Sequence, residues 1–407
     1  MDTILSESRV GGTDPNRASF PGPSQLAQSA DSVISSVEEA LNVYDFEKAA
    51  RQAMLPEHWA YLETGVNDDG ADHHVSEAVL NDMAFDWLQL RPQRLPQIRA
   101  VDTSVEIFGR RWERPFALCP VGSLNGFHTQ GELGTARAAR SRNMLQMLST
   151  VSSTSVEDVN EARGEPVWYQ LYAPQNWQTA LQLLDRVEGS GCDVLVWTID
   201  LIGGSNRETV DRAVGPDGTD QELCQQCHSH QPDYQKPMAR GLDGPLFGGD
   251  GDPFTWAYVR GLKDATDMQI VVKGIMTREG ARAAIDHGAD AIMISNHGGR
   301  AVAHGLSTIE VLPEIVAEVD GEVPVILDSG IRRGTDIYKA LALGADLVGI
   351  GRPYVWGLGA FGQEGVESVI DLLTAEFEMV MRQMGATSVD EIRRGSVMDP
   401  TGRILRG

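Results

Sequence analysis

Cysteine is scarce in this chain: Cys119, Cys192, Cys224 and Cys227 are all that 407 residues contain, too few and too scattered for a disulfide framework. Cys119 and Cys192 sit in apolar, strand-like runs and read as plain core. No apolar run approaches the ~20 residues that a membrane helix needs, and the N-terminus lacks the basic-then-apolar pattern of a secretory leader. No membrane partner is expected, and the cytoplasm is the expected compartment. Basic residues are also in deficit. Lys and Arg total 34 against 58 Asp and Glu, and the net charge of -24 sets the surface as a whole against nucleic acid. An anionic ligand must therefore meet a local cluster of Arg and Lys.

Residues 1–35 are rich in Ser, Gly, Pro and Asn without a hydrophobic period, which predicts a disordered or draped tail before one domain over 36–407. From Ser36 to about Thr64 the apolar spacing turns helical, predicting a cap ahead of the core. Eight short apolar runs follow: Phe116 to Val121, Leu145 to Ser149, Val167 to Tyr172, Asp193 to Asp200, Gln269 to Ile275, Ala291 to Ser295, Val323 to Asp328 and Leu347 to Gly351. Most are separated by helical stretches long enough for a right-handed crossover, such as Gly131 to Arg142 and Thr277 to His287. Eight such units predict an α/β fold, a TIM (β/α)8 barrel. The alternative, a doubly wound open sheet, would carry a dinucleotide glycine fingerprint after its first strand, and none follows Phe116 to Val121. The connection over 203–255 is much longer than the rest and dense in Gly, Pro, Asp, Gln and His, which predicts a lid after strand four. An apolar helix is expected around Val366 to Met384, packed on the barrel or on a sister subunit.

In a TIM barrel the residues that close each strand build the active site. They are Ser149, then Gln170 and Tyr172, then Thr198 and Asp200, then Lys273, then Ser295-Asn296-His297-Gly298-Gly299-Arg300. His297 can move a proton while Arg300 holds a carboxylate. The last two strands end in Asp328-Ser329-Gly330-Ile331-Arg332 and Gly349-Ile350-Gly351-Arg352, glycine turns with Arg of the kind that bind phosphate in this fold. A phosphate site facing a His, Asp, Tyr and Arg cluster suits flavin mononucleotide, with Lys273 under the ring to stabilise charge on reduction.

Four segments, SNHGGR, DSGIRRGTD, WYQLY and IGRP, make the chain resemble the FMN-dependent 2-hydroxy acid oxidase and dehydrogenase family, which includes glycolate oxidase, lactate monooxygenase, flavocytochrome b2 and mandelate dehydrogenase. The resemblance spans about Val43 to Arg394, and Val121 to Gly126 is most similar to the mandelate dehydrogenase branch. It implies oxidation of an (S)-2-hydroxy acid to the 2-oxo acid, with oxygen, a quinone or a partner protein as electron acceptor, and a homotetramer. It makes His297 the base, Asp200 its carboxylate partner, Arg300 and Arg207 the grip on the substrate carboxylate, and Tyr172 and Tyr61 the hydrogen-bonding phenols. It assigns FMN to Pro120, Val121, Gly122, Ser149, Gln170, Thr198, Lys273, Ser295, Asp328, Gly330, Arg332, Gly351 and Arg352.

The chain departs from the family pattern in places. After Arg300 it has Ala301-Val302-Ala303 where the family usually has Gln-Leu-Asp, which leaves open a flavin barrel acting on another substrate, by amine or modified-peptide oxidation or by isomerisation. Val151 replaces an aromatic and predicts a roomier pocket open to larger or aromatic substrates. Gly122 stands where many oxidases have Ala. In the lid, Cys224-Gln225-Gln226-Cys227-His228 has the spacing of a c-type haem site, but haem attachment goes with export. Ordinary loop residues are expected there, with a metal clasp or a dithiol as the alternative and no metal assigned.

Overall fold

The computed structural model describes residues 33–67, 77–92, 98–214, 236–247, 252–392 and 396–399. The eight apolar runs form parallel strands β1 (Phe116–Leu118), β2 (Leu145–Ser149), β3 (Trp168–Leu171), β4 (Val194–Thr198), β5 (Gln269–Ile275), β6 (Ala291–Ile294), β7 (Val325–Leu327) and β8 (Leu347–Ile350). They pair in chain order, and β8 returns to β1 with Gly349 opposite Ala117, so the sheet closes into the expected (β/α)8 barrel. Several strands stop short of their apolar runs. β1 ends at Leu118 rather than Val121, and β7 at Leu327 rather than Asp328, because the last residues leave the ladder to form the mouth.

The N-terminal pattern divides where one helical stretch was expected. A 3-10 turn (Val37–Glu39) precedes α1 (Val43–Ala53) and α2 (Pro56–Glu63). Proline at the first position of α2 cannot continue the helix before it, which forces the break at Met54 and Leu55. Asn42 and Asp45 close α1 with a reciprocal capping box. Among the elements that were not expected are α3 (Glu77–Trp87), an antiparallel hairpin, Val105–Ile107 with Arg110–Trp112, and an antiparallel pair of Gln89–Leu90 with Val397–Met398. Ile107, Phe108 and Trp112 of the hairpin pack against Trp168, the first residue of β3, and so close the N-terminal end of the barrel.

The outer layer consists of α4 (Gly131–Ser141), α5 (Val156–Arg163), α6 (Trp177–Gly189), α8 (Trp256–Ala265), α9 (Arg278–Asp286), α10 (Thr308–Val319), α11 (Gly334–Ala342) and α12 (Arg352–Met384), while α7 (Glu208–Val214), between β4 and α8, packs against α2. Ser155, Asn176 and Thr277 cap α5, α6 and α9 through side-chain oxygens. The final helix begins far earlier than Val366: α12 starts directly after β8 and breaks only at Phe361 and Gly362. Its glycines hid it from periodicity but serve close packing, since a Cβ on Gly357 would lie 2.4 Å from the Gly365 carbonyl. Among the described residues no helix is long and apolar enough to cross a membrane. Apart from its last three residues, the expected tail over 1–35 lies outside the described residues, as do Cys224, Cys227 and His228 of the lid segment.

Candidate active site

Strand alternation decides what reaches the mouth. Ala117, Met147, Trp168, Val196, Val271, Met293 and Ile326 belong to one buried cluster inside the barrel. The residues two further on share that face and are Cys119, Ser149, Gln170, Thr198, Lys273, Ser295 and Asp328. They form a polar layer above an apolar core. Ser149 Oγ donates to Gln170 Oε1 at 3.0 Å, and Gln170 Nε2 donates to Thr198 Oγ1 at 3.0 Å. Lys273 Nζ donates to Ser295 Oγ at 2.8 Å and lies 3.6 Å from both Asp200 Oδ2 and Asp328 Oδ2.

Charge pairing overrides burial in this layer. Burial alone would lower the Lys273 pKa, but Asp200 and Asp328 raise it above its usual value. Burial would likewise raise Asp200, yet Lys273 and His297 bring its carboxyl down to about 2. The two are therefore an ion pair across the whole neutral range. Their approach depends on a bulge after Lys273, where Gly274 adopts φ +109 and a Cβ would lie 2.8 Å from Asp200 Cβ.

After β6 the chain turns through three successive left-handed residues, His297, Gly298 and Gly299, at φ +59, +67 and +79. Side chains satisfy each exposed N–H: Ser295 Oγ accepts from His297 at 3.1 Å, Ser329 Oγ from Gly298 at 3.0 Å, and Asn296 Oδ1 from Gly299 at 3.0 Å. The turn delivers His297 between two partners. Its Nδ1 lies 2.8 Å from Asp200 Oδ1 and its Nε2 3.3 Å from the Tyr172 hydroxyl. Burial lowers the imidazole pKa, Asp200 opposes this, and the net direction is down, so the ring is neutral at pH 7. Burial raises the Tyr172 phenol, which remains protonated.

Arg300 stacks over the Tyr61 ring, its guanidinium carbon 4.5 Å from the centroid, and Arg207 approaches the same ring at 5.9 Å. Arg300 Nη2 and Arg332 Nε are buried donors without a partner among the described residues. One follows β6 and the other β7, so the two free donors stand at the ends of different strands. Arg332 also lies 3.2 Å from Asp82, and Arg352 donates to the carbonyls of Leu62 and Gly298 at 2.9 Å each, tying α2 to the barrel mouth.

A cavity of about 480 Å³ opens here. Tyr61, Pro120, Val121, Gly122, Ser149, Tyr172, Thr198, Arg207, Lys273, His297, Arg300, Asp328, Gly330, Arg332, Gly351 and Arg352 line it. Gln170, Asp200 and Ser295 lie behind that wall and act on it through the bonds above. Sequence reasoning passed over Cys119, read as core, which is buried and also lines the cavity. It passed over Ser329, and it missed Asn81 and Asp82 because α3 was not recognised. The spacing of Leu80, Ala84, Phe85 and Leu88 carried that signal.

A closed barrel with a buried Lys-Asp pair, a neutral His and two unpaired guanidinium donors at its mouth is the framework of a flavin-dependent oxidoreductase. A phosphorylated flavin fits the donor set, with glycine backbone and Arg332 for the phosphate and Lys273 for the ring. The family model for FMN-dependent dehydrogenase matches residues 50–399. The chain is 33% identical over 373 residues to the peroxisomal (S)-2-hydroxyacid oxidase GLO3 of Arabidopsis thaliana, covering 90% of this chain and 99% of that one. It is 35% identical to the 4-hydroxymandelate oxidase of Amycolatopsis orientalis, covering 87% of this chain and 97% of the relative. Among solved structures, mandelate oxidase with benzoyl-formic acid superposes with a TM-score of 0.76 at 34% identity, over 88% of this chain and 99% of that chain. The chain belongs to the FMN-dependent dehydrogenase family, and it is an oxidoreductase whose cofactor is FMN.

Proposed function

We propose that the protein oxidises an (S)-2-hydroxy acid with a bulky apolar or aromatic side chain to the 2-oxo acid. The observation that carries this reading is the placing of His297, held by Asp200 and beside Tyr172, on the same cavity as Arg300 and Lys273. Arg300 and Arg207 bind the substrate carboxylate, since a buried guanidinium with a free donor has most to gain from a bidentate anion. Tyr61 and Tyr172 hydrogen-bond the carboxylate and the hydroxyl. Neutral His297 takes a proton from the substrate through Nε2, and Asp200 stabilises the imidazolium that results.

FMN, when bound, supplies the acceptor for the two electrons that leave the substrate carbon. Pro120, Val121, Gly122, Ser149, Gln170, Thr198, Lys273 and Ser295 hold its ring and chain, while Asp328, Gly330, Arg332, Gly351 and Arg352 serve the ribityl phosphate end. Lys273 keeps its charge through the cycle because two carboxylates face it. Val151, Leu201, Leu246, Phe247 and Phe254 give the rest of the cavity an apolar wall, which suits a large side chain better than the methyl of lactate. The names of the relatives, 4-hydroxymandelate oxidase and mandelate oxidase, support the same substrate class and oxygen as acceptor.

The test is anaerobic mixing of the yellow protein with a panel of 2-hydroxy acids. Mandelate-like acids should bleach the flavin and short ones bleach it slowly, with peroxide formed when air is admitted. His297→Ala should retain the flavin and lose bleaching. A flavin that no 2-hydroxy acid reduces would remove the proposal.

A further inference from the structure

Helix α3 has no part in the chemistry above, yet it touches both the turn that carries His297 and the loop after β7. Asn81 is 1% exposed. Its amide forms a reciprocal pair with that of Asn296: Asn81 Nδ2 donates to Asn296 Oδ1, and Asn296 Nδ2 donates to Asn81 Oδ1, each at 2.9 Å. Asn296 Oδ1 also accepts the Gly299 N–H. An amide bonded through both of its polar atoms is confined to one rotamer, so the turn around His297 is braced from outside the barrel. A left-handed conformation is disfavoured for a residue with a Cβ, and His297 needs such a brace to keep it.

The same turn of α3 lies on the loop after β7. A Cβ on Gly330 would come 2.5 Å from the Asn81 carbonyl oxygen and 3.0 Å from Phe85, so helix and loop cannot move independently. One residue further along, Asp82 Oδ1 lies 3.2 Å from Arg332 Nη2.

We propose that Asn81 is a positioning residue: its amide pair with Asn296 sets the aim of His297, and its seat on the Gly330 turn couples that aim to the grip on the FMN phosphate. The inference rests on the role given to His297 above. Both contacts belong to one residue of one helical turn, so a change that shifts this turn loosens the base and the cofactor together.

Asn81→Ala, Asn296→Ala and the double variant, each purified as holoenzyme, test it by stopped-flow flavin reduction and by the rate of FMN release on dilution. Each single variant should slow reduction about tenfold, and the double variant should be no slower than the worse single, as for two halves of one interaction. The substrate concentration for half-maximal reduction should stay within about threefold, because Arg300 and Arg207 retain their grip. FMN should leave several times faster from all three. A wild-type reduction rate in Asn81→Ala, multiplied losses in the double variant, or unchanged FMN release would each overturn the proposal. If both single variants are insoluble, the pair is a folding element and the positioning role is withdrawn. His297→Ala is the control: normal reduction there strikes the base assignment itself, whereas normal reduction in Asn81→Ala beside an inactive His297→Ala removes only this inference.

Discussion

Asp200 holds His297: Oδ1 lies 2.8 Å from Nδ1, which leaves Nε2 as the ring nitrogen on the Tyr172 side. The contact fixes both tautomer and direction. A neutral ring that donates through Nδ1 must present an unprotonated Nε2, the form a base requires.

Asp200→Asn should therefore damage the base without removing it. Asparagine can present its NH2 to Nδ1 and so reverse the tautomer, and it cannot stabilise an imidazolium. The rate of flavin reduction at its pH plateau should fall by roughly 10²- to 10⁴-fold. Asp200 raises the His297 pKa against burial, so its loss moves that pKa further down. The acid limb of the reduction profile should then shift to lower pH while the plateau drops, and stopped-flow measurements over pH 5 to 8 would check both.

Stability should follow the same carboxylate. Its folded-state pKa is about 2 against an ordinary 3.8, so the unfolded chain binds the proton more readily. The stabilisation is complete above about pH 4 and is lost as pH falls toward 2. The difference corresponds to about 2 kcal/mol for this one group. Denaturant titrations at pH 5 and pH 3 should show the loss in the wild type and a smaller one in Asp200→Asn.

The barrel and most of its mouth could be read in the chain because each apolar run is buried on both faces and ends in a polar residue. Lys273 follows Ile270-Val271-Val272, and one more step of strand alternation puts it on the inner face. What escaped detection depends on contacts distant in sequence. Asn81 meets Asn296 across 215 positions, and a lone Asn in a short helix carries no sign of such a partner. Ser329 occupies φ +75, a left-handed position where a glycine would be expected, and its hydroxyl caps Gly298 of another loop. Arg332 and Arg352 were both expected at a phosphate, but nothing in their own segments tells that Arg352 also bonds the carbonyls at the end of α2. The start of α12 was lost for a different reason, since its glycines weaken the helical period that packing then restores.

Lys273→Met keeps the length of the side chain and removes its charge. With His297 neutral, Asp200 and Asp328 would then have no cation within ion-pair distance among the described residues, an uncompensated buried charge of the kind that costs about 3–5 kcal/mol. Denaturant unfolding should register most of that loss. Since Lys273 also lowers the His297 pKa, the acid limb of flavin reduction should move to higher pH, opposite to the shift in Asp200→Asn. A shift of the same sign in both variants would contradict the charge arrangement.

Substrate size should be governed by Val151 together with Gly122. A Cβ on Gly122 would lie 2.6 Å from Val151 Cγ2, so the absence of a side chain at one position makes room for the other. Both line the cavity, as do Leu246 and Phe247. Val151→Trp should fill the apolar part of the space and leave the Arg300 and His297 end intact. The ratio of kcat/KM for mandelate to that for lactate should fall by at least about tenfold, the scale set by lost apolar burial of one or two methylene equivalents, about 0.8 kcal/mol each. Gly122→Ala should push Val151 aside and lower turnover of both acids, and the added change Val151→Ala should restore it because the close contact is gone. Unchanged preference in Val151→Trp would mean that the substrate side chain lies on another part of the cavity wall, toward Phe254.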